Sequence, residues 1–197
     1  MVAVIDYDTG NLRSVCNALE RLGASYEVTA DHSRILAASH VLMPGVGEAS
    51  SAMGKLRERG LDTLIPQLTQ PVLGICIGMQ LMCLGSEEGD AQCLGIFSTQ
   101  VRRLAAVPEQ GIKVPHMGWN SLADLRTPLF DGIAPGAFVY FVHSYAADPC
   151  DATIALCNNG ADFSAALHRD NFYGVQFHPE KSGDVGARII DNFLTKI

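Results

Sequence analysis

Val72-Leu73-Gly74-Ile75-Cys76-Ile77-Gly78 decides the reading of this chain. Val72 to Ile75 is a short apolar run of strand type, and the stretch from about Gly78 to Leu84 has helical character. Between them stands a cysteine with a glycine two residues away on either side. A strand that turns directly into a helix through such a residue has the geometry of a nucleophile elbow, with cysteine in place of serine. Small flanking residues permit the tight turn and push the side chain out beyond the sheet. The N-terminus of the following helix favours negative charge, which predicts a lowered Cys76 pKa and a thiolate.

The same strand-then-helix alternation recurs on the N-terminal side of this stretch. Val2 to Tyr7 is an apolar run, followed by a helix with Leu12, Val15, Cys16, Leu19 and Leu22 at helical spacing and Gly23 at its close. Ser25 to Thr29 is a second strand. Val41-Leu42-Met43 is a third, ending at Pro44-Gly45-Val46-Gly47, with a helix from Glu48 to Arg59 behind it. Strands alternating with helices predict an α/β fold: a doubly wound, mostly parallel sheet with helices on both faces. In the C-terminal half the runs Ile96–Leu104, Phe138–His143, Ala152–Cys157, Phe163–His168 and Phe172–Phe177 are separated by turn residues. They predict an antiparallel or mixed extension of the sheet, closed by a helix from Asp184 to Ile197. No linker or repeat interrupts residues 1–197, so one domain is expected.

Composition narrows the function. Apolar residues make up 48% and charged residues 18% of the 197, which suits a folded domain and excludes a disordered chain. The net charge is −7 and the longest basic run is Arg102-Arg103, so nucleic acid has no basic stripe to bind. No apolar stretch approaches the ~20 residues of a membrane span. Met1 to Tyr7 lacks a basic leader and reads as a strand rather than a signal peptide, which predicts a cytosolic protein. The six cysteines contain no C-x-x-C pair, so neither zinc nor a redox pair is indicated, and no metal or organic cofactor is expected.

A thiol nucleophile needs a base, and the base an orienting group. Gly174-Val175-Gln176-Phe177-His178-Pro179-Glu180 supplies both. In extended chain His178 and Glu180 point the same way, so they are expected to converge on one side, with Pro179 stiffening the link. His178 would take the thiol proton and return it to the leaving group, and Glu180 would hold the imidazole. Acyl transfer also needs donors for an oxyanion. Gly45, Val46 and Gly47 at a strand end can present backbone N–H groups, and Ile77, after the cysteine, a second donor.

Together these motifs resemble the class I, triad-type glutamine amidotransferases, and among them the family of glutaminase subunits of imidazole glycerol phosphate synthase. The resemblance spans the chain. It includes Asp6-Tyr7-Asp8-Thr9-Gly10-Asn11-Leu12, Lys113-Val114-Pro115-His116-Met117-Gly118-Trp119-Asn120 and Tyr140-Phe141-Val142-His143-Ser144-Tyr145. It implies hydrolysis of glutamine to glutamate and ammonia through a Cys76 thioester. It also implies delivery of the ammonia to a (β/α)8-barrel cyclase subunit in histidine biosynthesis. By the same likeness Gln80 and the backbone of His143, Ser144 and Tyr145 seat glutamine, and Asn11, Trp119, Asn120 and Tyr140 face the partner. Trp119 and His116 also read as packed core residues. The chain departs from the family at Glu48-Ala49-Ser50, where an aromatic residue is common, and at Ile77, where leucine is usual.

Three other readings of the residues stay open. One is a glutaminase subunit serving a different synthase. A second is a non-hydrolytic sensor that needs Cys76 but not His178 and Glu180. A third is an inactive scaffold.

Overall fold

The computed structural model describes residues 1–8 and 12–197. The first part of the chain builds the expected parallel sheet. Its strands are β1 (Val2–Ile5), β2 (Tyr26–Thr29), β3 (His40–Gly45) and β4 (Val72–Cys76). Between them run helices α1 (Leu12–Arg21), α2 (His32–Ala37), α3 (Ala49–Glu58) and α4 (Leu61–Leu64), and α5 (Ile77–Leu81) follows β4. The remaining strands are β5 (Gly85–Ser86), β6 (Ala91–Gln92), β7 (Gln100–Arg103), β8 (His116–Ser121) and β9 (Phe138–His143). They continue with β10 (Tyr145–Ala147), β11 (Thr153–Asn158), β12 (Asp162–Arg169) and β13 (Phe172–Val175), before helix α6 (Gly183–Lys196).

The main sheet runs β2-β1-β3-β4-β13-β12-β10-β7-β5-β6, with β11 on β12. From β2 to β13 every pair is parallel, and from β13 to β10 and β7 the pairing is antiparallel. The doubly wound sheet with an antiparallel extension is therefore the observed architecture. Alternation along β1 shows how the two faces are covered. Val2 and Val4 join Val15 and Leu19 of α1 and Ile190 and Phe193 of α6 in one core cluster. Ala3 and Ile5 join Ile35 of α2, Met53 and Leu56 of α3 and Leu61 of α4 in the other. Both faces of the strand are buried, hence its unbroken apolar run.

This arrangement places the chemistry. Strands β3, β4 and β13 are parallel neighbours, so their C-terminal ends share one edge of the sheet. Cys76 is the last residue of β4, and the Val46-Gly47 segment and His178 follow the ends of β3 and β13. Cys76 adopts φ 55° and ψ −110°, outside the usual range for a side-chain-bearing residue. The two flanking glycines make that turn possible. A Cβ on Gly74 would stand 2.7 Å from the backbone of Gly78 and Met79, and one on Gly78 only 1.8 Å from the Met43 carbonyl oxygen. Strand β4, helix α5 and strand β3 meet backbone to backbone there.

Some expectations change. The third strand does not stop at Met43. It runs through Pro44 to Gly45, which pairs with Cys76, because the proline needs no donor on that side. The helix expected from Gly78 to Leu84 is α5, Ile77–Leu81, little more than one turn. It ends where the Cys83 and Leu84 backbones pair with Gly95, Cys93 and Thr99. The Ile96–Leu104 strand contracts to β7. His116–Ser121, which overlaps the Lys113–Asn120 motif region, is strand β8, paired with β9 in a separate two-stranded ribbon.

Gly78→Ala is expected to lower unfolding stability by about 3 kcal/mol, since its methyl group has no room against Met43. Urea unfolding measures this, and a variant as stable as the wild type would contradict the close packing.

Candidate active site

Cys76 is almost fully buried, yet it lines a cavity of about 230 Å³ at the carboxyl edge of the sheet. Val46, Gly47, Ile77, Gln80, Glu88, His143, Tyr145 and His178 are among the other lining residues. Of the predicted donor and substrate residues, Gly45 alone stands back from the lining, paired with Cys76 in the sheet. A larger open depression of about 490 Å³, lined by Ser98, Cys150, Ala152, His168 and Arg169, contains none of the predicted residues.

His178 and Glu180 do converge, though not along an extended strand. His178 is extended at φ −100°, ψ 94°, and Pro179–Lys181 then form a 3-10 turn that brings the carboxylate back. Nδ1 of His178 donates to Glu180 Oε1 at 2.8 Å, with both side chains buried. The other ring nitrogen, Nε2, is buried beside Cys76 without an aligned hydrogen bond in this resting geometry. Burial by itself would push the imidazole pKa down. The interactions with Cys76 and Glu180 outweigh it and lift the value to about 9. His178 is thus protonated near neutrality beside Cys76.

The backbone of His178 is held by the ribbon. Its N–H donates to the Tyr140 carbonyl at 2.9 Å, and its own carbonyl accepts from Ser182 Oγ at 2.7 Å. Ser182 Oγ in turn accepts from the Tyr140 N–H at 2.9 Å. Strand β9 and the His178 turn are one hydrogen-bonded unit.

A second network leads inward from the ribbon, and its donors can be assigned without ambiguity. The Tyr145 carbonyl can only accept, so His143 Nδ1 is the donor to it at 2.8 Å. His143 Nε2 is then the acceptor for His116 Nδ1 at 2.9 Å, and His116 Nε2 accepts from Asn120 Nδ2 at 3.1 Å. Burial holds both imidazoles neutral and takes the His143 pKa down to about 3. A neutral His143 spares the charged His178 a like-charged neighbour. The Tyr145 carbonyl also accepts from Gln80 Nε2 at 2.9 Å. With both lone pairs occupied, it holds Gln80 rather than a ligand. Gln80 Oε1 is left buried without a partner, on a residue that lines the cavity.

Comparison with known proteins now adds to the geometry. The sequence profile described as Glutamine amidotransferase class-I matches residues 3–197. The imidazole glycerol phosphate synthase subunit HisH of Bacteroides fragilis is 55% identical over 193 residues, 98% of each chain. That of Haemophilus influenzae is 47% identical over 197 residues, covering 100% of this chain and 98% of the relative. This chain belongs to the class I glutamine amidotransferases. A crystal structure of a glutamine amidotransferase superposes with a TM-score of 0.75 at 16% identity, over 98% of this chain and 97% of that one, in agreement on the fold.

In this amidotransferase the predicted partner-facing residues divide. Trp119 is exposed and stacks edge-on against Tyr140, its cross-strand partner, at 6.1 Å. Asn120 is half-buried. Neighbouring strand residues face opposite ways, and its side chain turns inward to His116 and the Asn158 carbonyl. His116 is buried. Asn11 lies outside the described residues.

Two site residues escaped the sequence reading. Gln176 lies inside the quoted motif, but strand alternation alone does not reveal that its amide reaches the thiol. Glu88 lines the cavity from a loop with no local signature. Its carboxylate accepts from the Ala49 N–H at 3.0 Å. The unusual Glu48-Ala49-Ser50 segment therefore supports a cavity residue, while Glu48 caps α3 by accepting from the Ser51 N–H.

A histidine whose pKa rises on folding stabilises the fold fully below its unfolded value near 6.5, and that contribution disappears as pH climbs through about 9. Glu180→Gln is expected to lower the His178 pKa and move this loss to lower pH. Imidazole NMR titration and urea unfolding across that window measure both effects. Identical pH dependence in wild type and variant would refute the assignment.

Proposed function

We propose that this chain is the glutaminase subunit of an imidazole glycerol phosphate synthase, with Cys76, His178 and Glu180 as its catalytic triad. The observation that carries the reading is the cysteine on a strained elbow, opening into a cavity beside a buried, carboxylate-held histidine. The relatives named HisH supply the biosynthetic context.

The Cys76 sulfur attacks the side-chain amide carbon of glutamine, and the C=O electron pair moves onto oxygen. The N–H of Ile77, which opens a helix and has no acceptor within it, meets that oxyanion together with an N–H of the Val46-Gly47 segment. The His178 imidazolium gives its proton to the amide nitrogen, the C–N bond breaks, and ammonia leaves a thioester on Cys76. His178, now neutral, takes a proton from water as the water attacks. The C–S bond breaks, and glutamate departs with the thiolate restored. Glu180 keeps the imidazole oriented and offsets its charge. Gln80 Oε1, the Glu88 carboxylate and the backbone of His143 and Ser144 are suited to the ammonium and carboxylate ends of glutamine.

The partner is a cyclase subunit of (β/α)8-barrel fold, docked on the outer face of the β8–β9 ribbon. Met117, Trp119 and Phe138 are exposed there and Tyr140 lies between them. Such a face suits a protein that works in a complex. Its strand β9 is bonded to His178, so docking and catalysis share a mechanical element. Gly47 sits at φ +112°, and glycines on both sides of Val46 make a peptide flip inexpensive. The loaded cyclase stabilises the orientation that presents the oxyanion donor, so ammonia forms only when it can be used.

Glutamate release from glutamine is expected to be slow for the chain alone, to rise when the cyclase and its nucleotide substrate are added, and to vanish in Cys76→Ala. Equal rates for the free chain and the loaded complex would exclude gating by the partner. Activity in Cys76→Ala would exclude the nucleophile. Trp119→Ala is expected to weaken cyclase binding by roughly thirtyfold, as for an aromatic hot spot. Calorimetric titration measures this, and an unchanged Kd would place the interface elsewhere.

A further inference from the structure

The reaction above leaves one neighbour of the nucleophile unused. Gln176 follows β13, two residues before His178, and is completely buried. Its N–H donates to the Ala165 carbonyl of β12 at 2.9 Å, so the sheet fixes its position. Its side chain touches two members of the site. Nε2 lies 3.7 Å from Cys76 Sγ, and Oε1 accepts from Gln80 Nε2 at 2.8 Å.

Which end of the amide meets the sulfur follows from its surroundings. The Tyr145 carbonyl only accepts, so Gln80 must turn its NH2 group toward it. The second hydrogen of that NH2 group points at Gln176, which must answer with its oxygen. Gln176 therefore presents its own NH2 group to the sulfur. This orientation depends on no assumption about the protonation of any group.

A donor at this place has a clear task. Helix α5 spans only Ile77–Leu81, too short to supply much of a dipole to the thiolate. His178 Nε2 has no aligned hydrogen bond at rest. The aligned hydrogen bond to the sulfur comes from Gln176.

We propose that Gln176 is a catalytic residue whose amide N–H stabilises the Cys76 thiolate while its oxygen aligns Gln80 for the substrate. This inference rests on the reading of Cys76 as the nucleophile. One side chain then couples the charge state of the nucleophile to the seat of the ligand. Because the amide does not titrate, the donor is present at every pH at which the protein is folded.

The test follows alkylation of Cys76 by iodoacetamide as a function of pH, read by mass spectrometry so that the other five cysteines do not interfere. The full-length chain is used as wild type, Gln176→Met and Gln176→Leu, each with a thermal melt to establish folding. Loss of the donor is expected to raise the alkylation midpoint by about one pH unit. In the complex with the cyclase, kcat/KM for glutamine at neutral pH is expected to fall by about ten- to a hundredfold, with a rise in KM from the misaligned Gln80. A purely packing role would leave the midpoint where it is. An unshifted midpoint in whichever variant folds overturns the inference, and an upward shift supports it. Cys76→Ala in the same activity assay separates the two levels. If it is inactive while the midpoint stays unshifted, only the role of Gln176 falls. If it still hydrolyses glutamine, the nucleophile reading falls and takes the inference with it.

Discussion

The contact between strand β4 and helix α5 through Gly74 and Gly78 is the constraint on which the site depends. Two stretches of backbone approach so closely that no Cβ fits between them, and Cys76 is left at a positive φ. The cost of that conformation, of the order of 1–3 kcal/mol, is offset by burial of every residue of α5 and by the pairing of β4 on both sides. A cysteine in ordinary extended backbone would point into one face of the sheet. The elbow turns it into the cavity at the sheet edge instead, where His178 arrives from the neighbouring strand.

Around that point the protein uses neutral hydrogen bonds where a chain of charges would be costly to bury. Asn120, His116, His143, the Tyr145 carbonyl, Gln80 and Gln176 form a continuous series that ends on the Cys76 sulfur. The Tyr145 carbonyl in its middle can only accept, so it fixes the tautomers of both histidines on one side and the orientation of Gln80 on the other. The charged pair of His178 with Glu180 is buried beside Cys76. The ribbon carries both systems: its inner face holds the neutral series, and the backbone of β9 grips the His178 turn.

Much of this was legible in order along the chain. Parallel strands buried on both faces need unbroken apolar runs, and the runs at Val2 and Val72 read correctly. The elbow was legible because glycine at two fixed offsets from a cysteine has few other uses. Strand β8 was not, because His116, Gly118 and Asn120 present polar or small residues inward and Met117 and Trp119 apolar ones outward. Its pattern is inverted for a surface strand. The inversion makes sense only beside the buried histidine pair within and an exposed apolar face without.

Local spacing and side-chain chemistry were enough to read the fold class, the elbow and the three groups proposed as nucleophile, base and orienting acid from the amino-acid sequence alone. The tertiary structure decided which way shared side chains point. Asn120 turned inward, Glu180 returned through a 3-10 turn, Glu88 entered the cavity from a loop, and Gln176 took its orientation from a carbonyl 31 positions earlier in the chain, at Tyr145. The physical reason is that a hydrogen-bonding group is assigned by the partners around it, and those partners come together only when strands distant in sequence lie side by side.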